Sequence, residues 1–339
     1  MTLADVTPSP RRGMSRRQAL KVVAATAAIP VAVTGWRLLG PAATFHTWEG
    51  EVLGAVSSLT LYHSNATYAR RTIDRMIAEV RRLEAVFSLF RPTSELSRLN
   101  ASGRIDGASR DLVTVMDAAR AAGEVTGGAF DTTVQPLWDV YAAHFARPGA
   151  DPAGPSAAVV EAARRLVGYR NIEIGSRSVA FAEPGMMATL NGIAQGYITD
   201  TVADILRNEG FNHVVVELGE TRVVGDHPDG RPWRVGLRNQ EGATDRMIDL
   251  ADGSVALHGG YGTVFDPEGR NHHIFDPSTG LSAHRVADVV VLSPRAIVAD
   301  AIGVGLYVTG EERAAAIIAA YPGTKATFTR TDGTRVSIG

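Results

Sequence analysis

From Asn171 to Ser293 the chain breaks into short apolar runs of strand length: 171–174, 178–182, 186–190, 213–217, 221–225, 232–238, 246–250, 253–258 and 287–293. One helical pattern, 193–208, interrupts them. Ahead of this region the periodicity is helical. Glu51 to His63 reads as a strand, and Asn65 or Thr67 then caps a helix reaching Phe87, with Ile73, Met76, Ile77, Val80, Leu83 and Val86 on one face. Further helices are expected over 109–124, 132–145 and 157–167, the last after a Pro/Gly/Ala-rich loop at 147–155. Helices at 296–308 and 310–321 and a hairpin of 325–329 with 334–338, turned at Asp332-Gly333, close the chain. Helices grouped early and strands grouped late make this an α+β chain.

The first forty residues have a different character. Arg11, Arg12, Arg16, Arg17 and Lys21 precede an apolar run from Val22 to Trp36, too short for the ~20 residues of a plain transmembrane helix. A basic stretch followed by a short apolar one reads as an export signal. Ser15-Arg16-Arg17-Gln18-Ala19-Leu20-Lys21 resembles the twin-arginine form, with Ala19 where Phe is usual. We expect a leader over residues 1–43, a folded body over 44–339 (helical to about 167, strand-rich over 168–339), and a periplasmic destination, tethered to the membrane if the leader stays attached. Such export carries proteins already folded, often with a cofactor in place.

The leader distorts the charge balance. The whole chain has a formal charge of −2, but residues beyond 43 hold 28 basic against 35 acidic side chains. Neither value supports nucleic-acid binding, which needs a basic surface. The chain has no cysteine, which excludes disulfides, Cys-ligated zinc, iron–sulfur clusters, thiol nucleophiles and an N-terminal lipidated Cys. Oxygen and imidazole are left for chemistry.

Four clusters in connecting segments could carry it. Gly127-Gly128-Ala129-Phe130-Asp131 reads as a helix–helix turn with Asp131 as the next N-cap. Leu190 to Tyr197 (LNGIAQGY) passes from strand to helix, where free N–H groups can meet a phosphate. His272-His273-Ile274-Phe275-Asp276-Pro277-Ser278-Thr279-Gly280 offers metal ligands, a base with its orienting group, or merely a turn. Asp300, early in an apolar helix, either faces the helix dipole or supplies oxygen to a hard cation.

Taken in order, these clusters resemble the ApbE family of FAD:protein FMN transferases. Phe87-Ser88, Ser94 to Asn100, Gly127 to Val134, Gly192-Ile193-Ala194 with Gly196-Tyr197 and Asp200, Trp233, His273 to Gly280 and Ala299-Asp300-Ala301 carry the resemblance from about residue 50 to the C-terminus. It implies an α+β fold related to the T-fold, with a mixed antiparallel sheet core and flanking helices. It also implies FAD as the ligand, with Mg2+ at its pyrophosphate. An acceptor Thr or Ser hydroxyl would attack the FMN-side phosphorus and AMP would leave. His273 matches the family's base and Asp300 its metal-binding carboxylate. Gly192 sits where a backbone carbonyl reaches the metal, and Val304 holds the third metal position. Leu53, Phe90, Ala129, Phe130, Asp131, Thr189, Gln195, His273 and Ile274 would line the flavin nucleotide site. No D-G-x-[ST]-G-A-T-like acceptor sequence is present, so the partner is another chain, an exported or membrane redox protein.

Several positions depart from the family pattern. Thr189 replaces an Asp, Gln195 a Lys or acid, and Val304 a Thr. The usual N-x-G-G-D reads Glu217-Leu218-Gly219-Glu220-Thr221, and the usual S-G reads His258-Gly259. Two readings follow: an exported Mg-dependent flavin transferase, or a catalytically impaired FAD-binding relative serving as flavin carrier or redox-enzyme assembly factor.

Overall fold

The computed structural model describes residues 42–239 and 243–339. The expected leader therefore lies outside the described residues, apart from Ala42 and Ala43. In order, the first half runs β1 (Thr44–Val52), β2 (Ala55–His63), α1 (Ala66–Phe87), α2 (Glu95–Ser102), β3 (Arg104–Asp106), α3 (Arg110–Thr126), α4 (Gln135–Phe145) and α5 (Ala157–Arg164). There follow β4 (Ile172–Gly175), β5 (Ser178–Phe181), α6 (Ala194–Asn208), β6 (Val214–Glu217), β7 (Thr221–Val224), β8 (Trp233–Arg238), β9 (Thr244–Leu250) and β10 (Ser254–Gly259). The chain ends with β11 (Phe275–Asp276), β12 (Leu281–Ser282), β13 (Asp288–Ser293), α7 (Ala296–Thr309), α8 (Ala314–Ala319), β14 (Lys325–Thr329) and β15 (Arg335–Ile338). The α+β class holds.

Eight strands form the main sheet in the order β1-β2-β6-β7-β10-β13-β14-β15, each pair antiparallel. Its middle is covered on both faces, and two valine runs show why. In β6, Val214 and Val216 point into the helical core while Val215 joins a second cluster built on the β8–β9 hairpin with Trp233, Val235 and Leu237. In β13, Val289 and Val291 pack under α7 and α8 while Val290 faces the same hairpin. A strand alternates its side chains, so only a sheet buried on both sides tolerates three consecutive apolar residues. Each such valine contributes about 1.5–3 kcal/mol by leaving water. A smaller sheet, β3-β5-β4, and the short pair β11-β12 lie apart.

Helix starts follow their capping residues. Asn65 accepts the Tyr68 N–H at 3.0 Å, and the expected face of α1 from Ile73 to Val86 is buried. Ser109 caps α3 through the Leu112 N–H at 3.1 Å. Other expectations needed correction. The single strand of 51–63 is the end of β1 and all of β2, reversing at Leu53-Gly54 with Leu53 itself at φ 47°. The helix of 132–145 begins with a 3-10 turn and is α-helical only from Gln135, and that of 310–321 is likewise α-helical only from Ala314. Helix α2 and strand β3 had no sequence expectation.

The segment 186–190 is not a strand, although Met186, Ala188 and Leu190 are buried in alternation. The side-chain amide of Asn100 takes the place of a neighbouring strand. It donates to the Ala188 carbonyl and accepts the Ala188 N–H, both at 2.8 Å.

Candidate active site

The site is organised where α6 meets α7. Asp200, on α6 and fully buried, accepts the N–H groups of Ala296 and Ile297 at 2.9 and 3.1 Å, so one helix caps the start of the other. It also pairs with Arg222 at 2.6 Å and Arg295 at 3.0 Å. Asp204, one turn along, meets the same two guanidinium groups at 2.9 and 3.0 Å. Four residues before Asp200, Gly196 allows the backbones to touch. A Cβ there would lie 2.5 Å from the Ala296 carbonyl oxygen.

That approach lets the Gly196 N–H reach Asp300 Oδ2 at 3.0 Å. In an unbroken helix this N–H would bond the carbonyl four residues back, that of Gly192. Its diversion to Asp300 leaves the Gly192 carbonyl without that helical bond. Asp300 is 1% exposed, and burial together with the charge of Asp200 pushes its carboxyl up to about 7. Glu220, in the β6–β7 turn and also buried, is pushed well above the ordinary carboxylate range by burial and by Asp300. Val304, one turn beyond Asp300, faces Gly192: a Cβ on that glycine would lie 3.0 Å from Val304 Cγ2 and 3.4 Å from Phe130 Cε2. Gly192, Phe130 and Val304 are thus brought together, with Asp300 on the same helix as Val304.

A second group is imidazole. His273, half-buried, has Nδ1 at 3.1 Å from the Thr263 carbonyl. A carbonyl only accepts, so Nδ1 carries the proton and Nε2 the lone pair. Burial lowers its pKa, which keeps the ring neutral at neutral pH. His258, at the end of β10, stands between it and α7. Its Nε2 donates to the Ala299 carbonyl at 3.3 Å, and its ring lies against Gly303, where a Cβ would come within 2.2 Å. Burial, with a smaller contribution from His273, pulls His258 down to about 4. His272 points elsewhere, to the Ala283 carbonyl at 2.8 Å, and is a structural residue.

The remaining expected residues scatter around this centre. Ala129 lines a cleft of about 270 Å3 with Gly127, Gly128, Asp276 and Arg285. Asp131 spends both carboxylate oxygens on the protein: Oδ1 accepts from the Thr133 N–H and hydroxyl, Oδ2 from the Tyr169 N–H. Thr189 donates its N–H to Thr132 at 2.7 Å, and Ile274 is buried under α7. The Gln195 side chain lies on Gly219, where a Cβ would be 2.5 Å from its Cδ. Leu53 donates its N–H to Glu84 at 2.8 Å in the β1–β2 turn. Phe90 is 64% exposed on a loop fastened by Ser94 and Ser97, whose hydroxyls both donate to the Ser88 carbonyl.

Glu220, His258 and the Asp200–Arg222–Arg295 knot carried no assigned role from sequence. The first two were visible only as departures from the family pattern, and Asp200 only as one of its landmarks. Among the described residues no three His, Asp or Glu side chains converge as a complete metal shell. Two buried carboxylates and a backbone carbonyl do fit a hard cation, which takes oxygen ligands and keeps waters or phosphate oxygens for the rest.

The sequence profile of the ApbE family matches residues 53–328. An FAD:protein FMN transferase of Vibrio cholerae is 34% identical over 254 residues, covering 72% of this chain and 74% of the relative. One from Treponema pallidum is 28% identical and covers 82% of each. Among solved structures, the flavin transferase ApbE of Vibrio cholerae superposes with a TM-score of 0.73 at 27% identity, covering 87% of this chain and 97% of that one. The ApbE protein of Thermotoga maritima gives 0.74 at 25% identity over 86% and 96%.

Proposed function

The chain belongs to the ApbE family, and from that premise we propose that it is an FAD:protein FMN transferase acting on a Thr or Ser hydroxyl of a redox protein. The observation that carries the mechanism is the state of His273. With Nδ1–H fixed on Thr263, its Nε2 lone pair is available to a hydroxyl. The acceptor oxygen bonds to the FMN-side phosphorus as the bond to the bridging pyrophosphate oxygen breaks. AMP leaves with that oxygen, and the hydroxyl proton passes to His273 Nε2.

Asp300 and the Gly192 carbonyl would hold Mg2+, which supplies charge neutralisation to the diphosphate. Gly196 orients Asp300 by its N–H, and Asp200 fixes the two helices on which both depend. Phe130 walls the Gly192 side, and we assign the flavin nucleotide site to Leu53, Phe90, Ala129, Phe130, Asp131, Thr189, Gln195, His273 and Ile274. The Arg16-Arg17 leader supports passage through the twin-arginine machinery to the periplasm, with the transferase domain spanning 44–339. Fractionation of the full chain against Arg16→Lys with Arg17→Lys tests it.

A second reading, FAD binding without transfer by a carrier or assembly factor, is favoured by Val304, which turns a methyl group toward Gly192. Incubating residues 44–339 with FAD, Mg2+ and an exported acceptor domain separates the two. AMP release with an acceptor heavier by FMN supports transfer. Bound FAD with neither product supports the carrier.

A further inference from the structure

We propose that Glu220 is a second carboxylate ligand for the divalent cation, joining Asp300 and the Gly192 carbonyl. The role of that cation rests on the transferase reading above, but its place is argued from the geometry of this chain.

Glu220 is held in position by its turn. The Leu218 N–H donates to the Glu220 carbonyl at 3.1 Å, and Gly219 adopts φ +106°, a conformation suited to glycine. Gly219 also rests directly on the Gln195 side chain. Gln195 adjoins Gly196, whose N–H holds Asp300. The turn that carries Glu220 therefore stands over the first turn of α6, and the charge of Asp300 acts on the Glu220 carboxyl.

Neighbouring charges show what this pair lacks. Asp200, in the same region, is matched by Arg222 and Arg295, and among the described residues those guanidinium groups pair otherwise with Asp204 alone. Among the described residues no Arg, Lys or His pairs with Glu220 or Asp300, and no donor reaches the Glu220 carboxyl. Glu220 is 8% exposed. Two buried acids without a counter-charge are costly, and the fold leaves the pair without a cation of its own. A divalent ion from solution is the complementary group. The face opposite Gly192 is the methyl of Val304, so an added oxygen must come from another element, and the β6–β7 turn brings one.

The test uses Mn2+ as a spectroscopic stand-in for Mg2+, measured by electron paramagnetic resonance on cation-free protein without FAD. Wild type should bind Mn2+, and Glu220→Gln should weaken binding roughly tenfold or more. The same substitution should raise the Tm of the cation-free protein, since it removes an uncompensated buried acid, and shrink the Tm rise on adding Mn2+. A merely structural Glu220 would give the opposite sign in the cation-free melt. Equal Mn2+ affinity in wild type and E220Q overturns the assignment, as does absence of Mn2+ binding by wild type. AMP release by wild type is assayed alongside. If transfer proceeds while E220Q binds normally, only the Glu220 assignment falls. If wild type neither binds Mn2+ nor releases AMP, the transferase reading falls with it.

Discussion

Gly196 and Asp300 meet N–H to carboxylate at 3.0 Å, and the contact exists only because residue 196 has no side chain. Gly196→Ala would set a methyl 2.5 Å from the Ala296 carbonyl oxygen and force α6 and α7 apart. We expect a loss of about 1–3 kcal/mol in urea unfolding. AMP release should fall further than stability does, because Asp300 loses the group that aims it.

Asp200 is fully buried between Arg222 and Arg295 while it caps α7. Replacement by Ala leaves buried Arg222 with Asp204 alone and takes the acceptor from two N–H groups at the start of α7. The expected cost is about 3–5 kcal/mol, read from chemical denaturation of the cation-free protein.

His273→Ala should lower the rate of transfer roughly 100- to 10,000-fold, with FAD binding weakened far less. The proposed base would work as the neutral ring, and burial holds the His273 pKa below the ordinary 6.5. The acid limb of kcat/KM should therefore fall below pH 6.5. A limb centred above 6.5 would refute the assignment.

Asp300 gives a pH signature of its own. Its folded pKa of about 7 stands above the ordinary 3.8, so the folded state binds the proton more tightly than the unfolded one. The stability contributed by the neutral carboxyl is present at acid pH and lost as pH climbs from about 4 to about 7. A cation binds the ionised form. The Tm rise caused by Mg2+ should grow through the same window and level off above it, and Asp300→Asn should diminish both trends, leaving the share due to buried Glu220.

Val304→Thr adds a hydroxyl on the face toward Gly192 with little change of volume. If that face borders the cation, the Mg2+ concentration for half-maximal AMP release should drop a few-fold. An unchanged Mg2+ requirement would place the cation away from Val304.

Parts of this structure were legible in the amino-acid order because their causes are local. Asn65 and Ser109 cap the helices they precede, and the spacing of Ile73 to Val86 marks the buried face of α1. The β1–β2 turn is weakly marked, because Leu53 shares the positive φ there with Gly54 and nothing about a leucine signals it. The alternation at 186–190 was real, but its partner is the Asn100 side chain, 88 residues earlier, which no local pattern discloses. The same holds for the site. Asp300 and Gly196 stood out singly as an acid and a glycine at helix starts. Glu220 acquires meaning only when the β6–β7 turn is laid over α6.

The order of strands in the main sheet has a consequence for synthesis. Strand β10 lies between β7 and β13, and β13 in turn pairs with β14 near the C-terminus. Contacts of such wide sequence separation are slow to form. Asp300 meets Gly196 across 104 residues, so the proposed cation pocket cannot close while the segment carrying Asp300 is still inside the ribosome. Loading with nucleotide would then report that the chain has been completed.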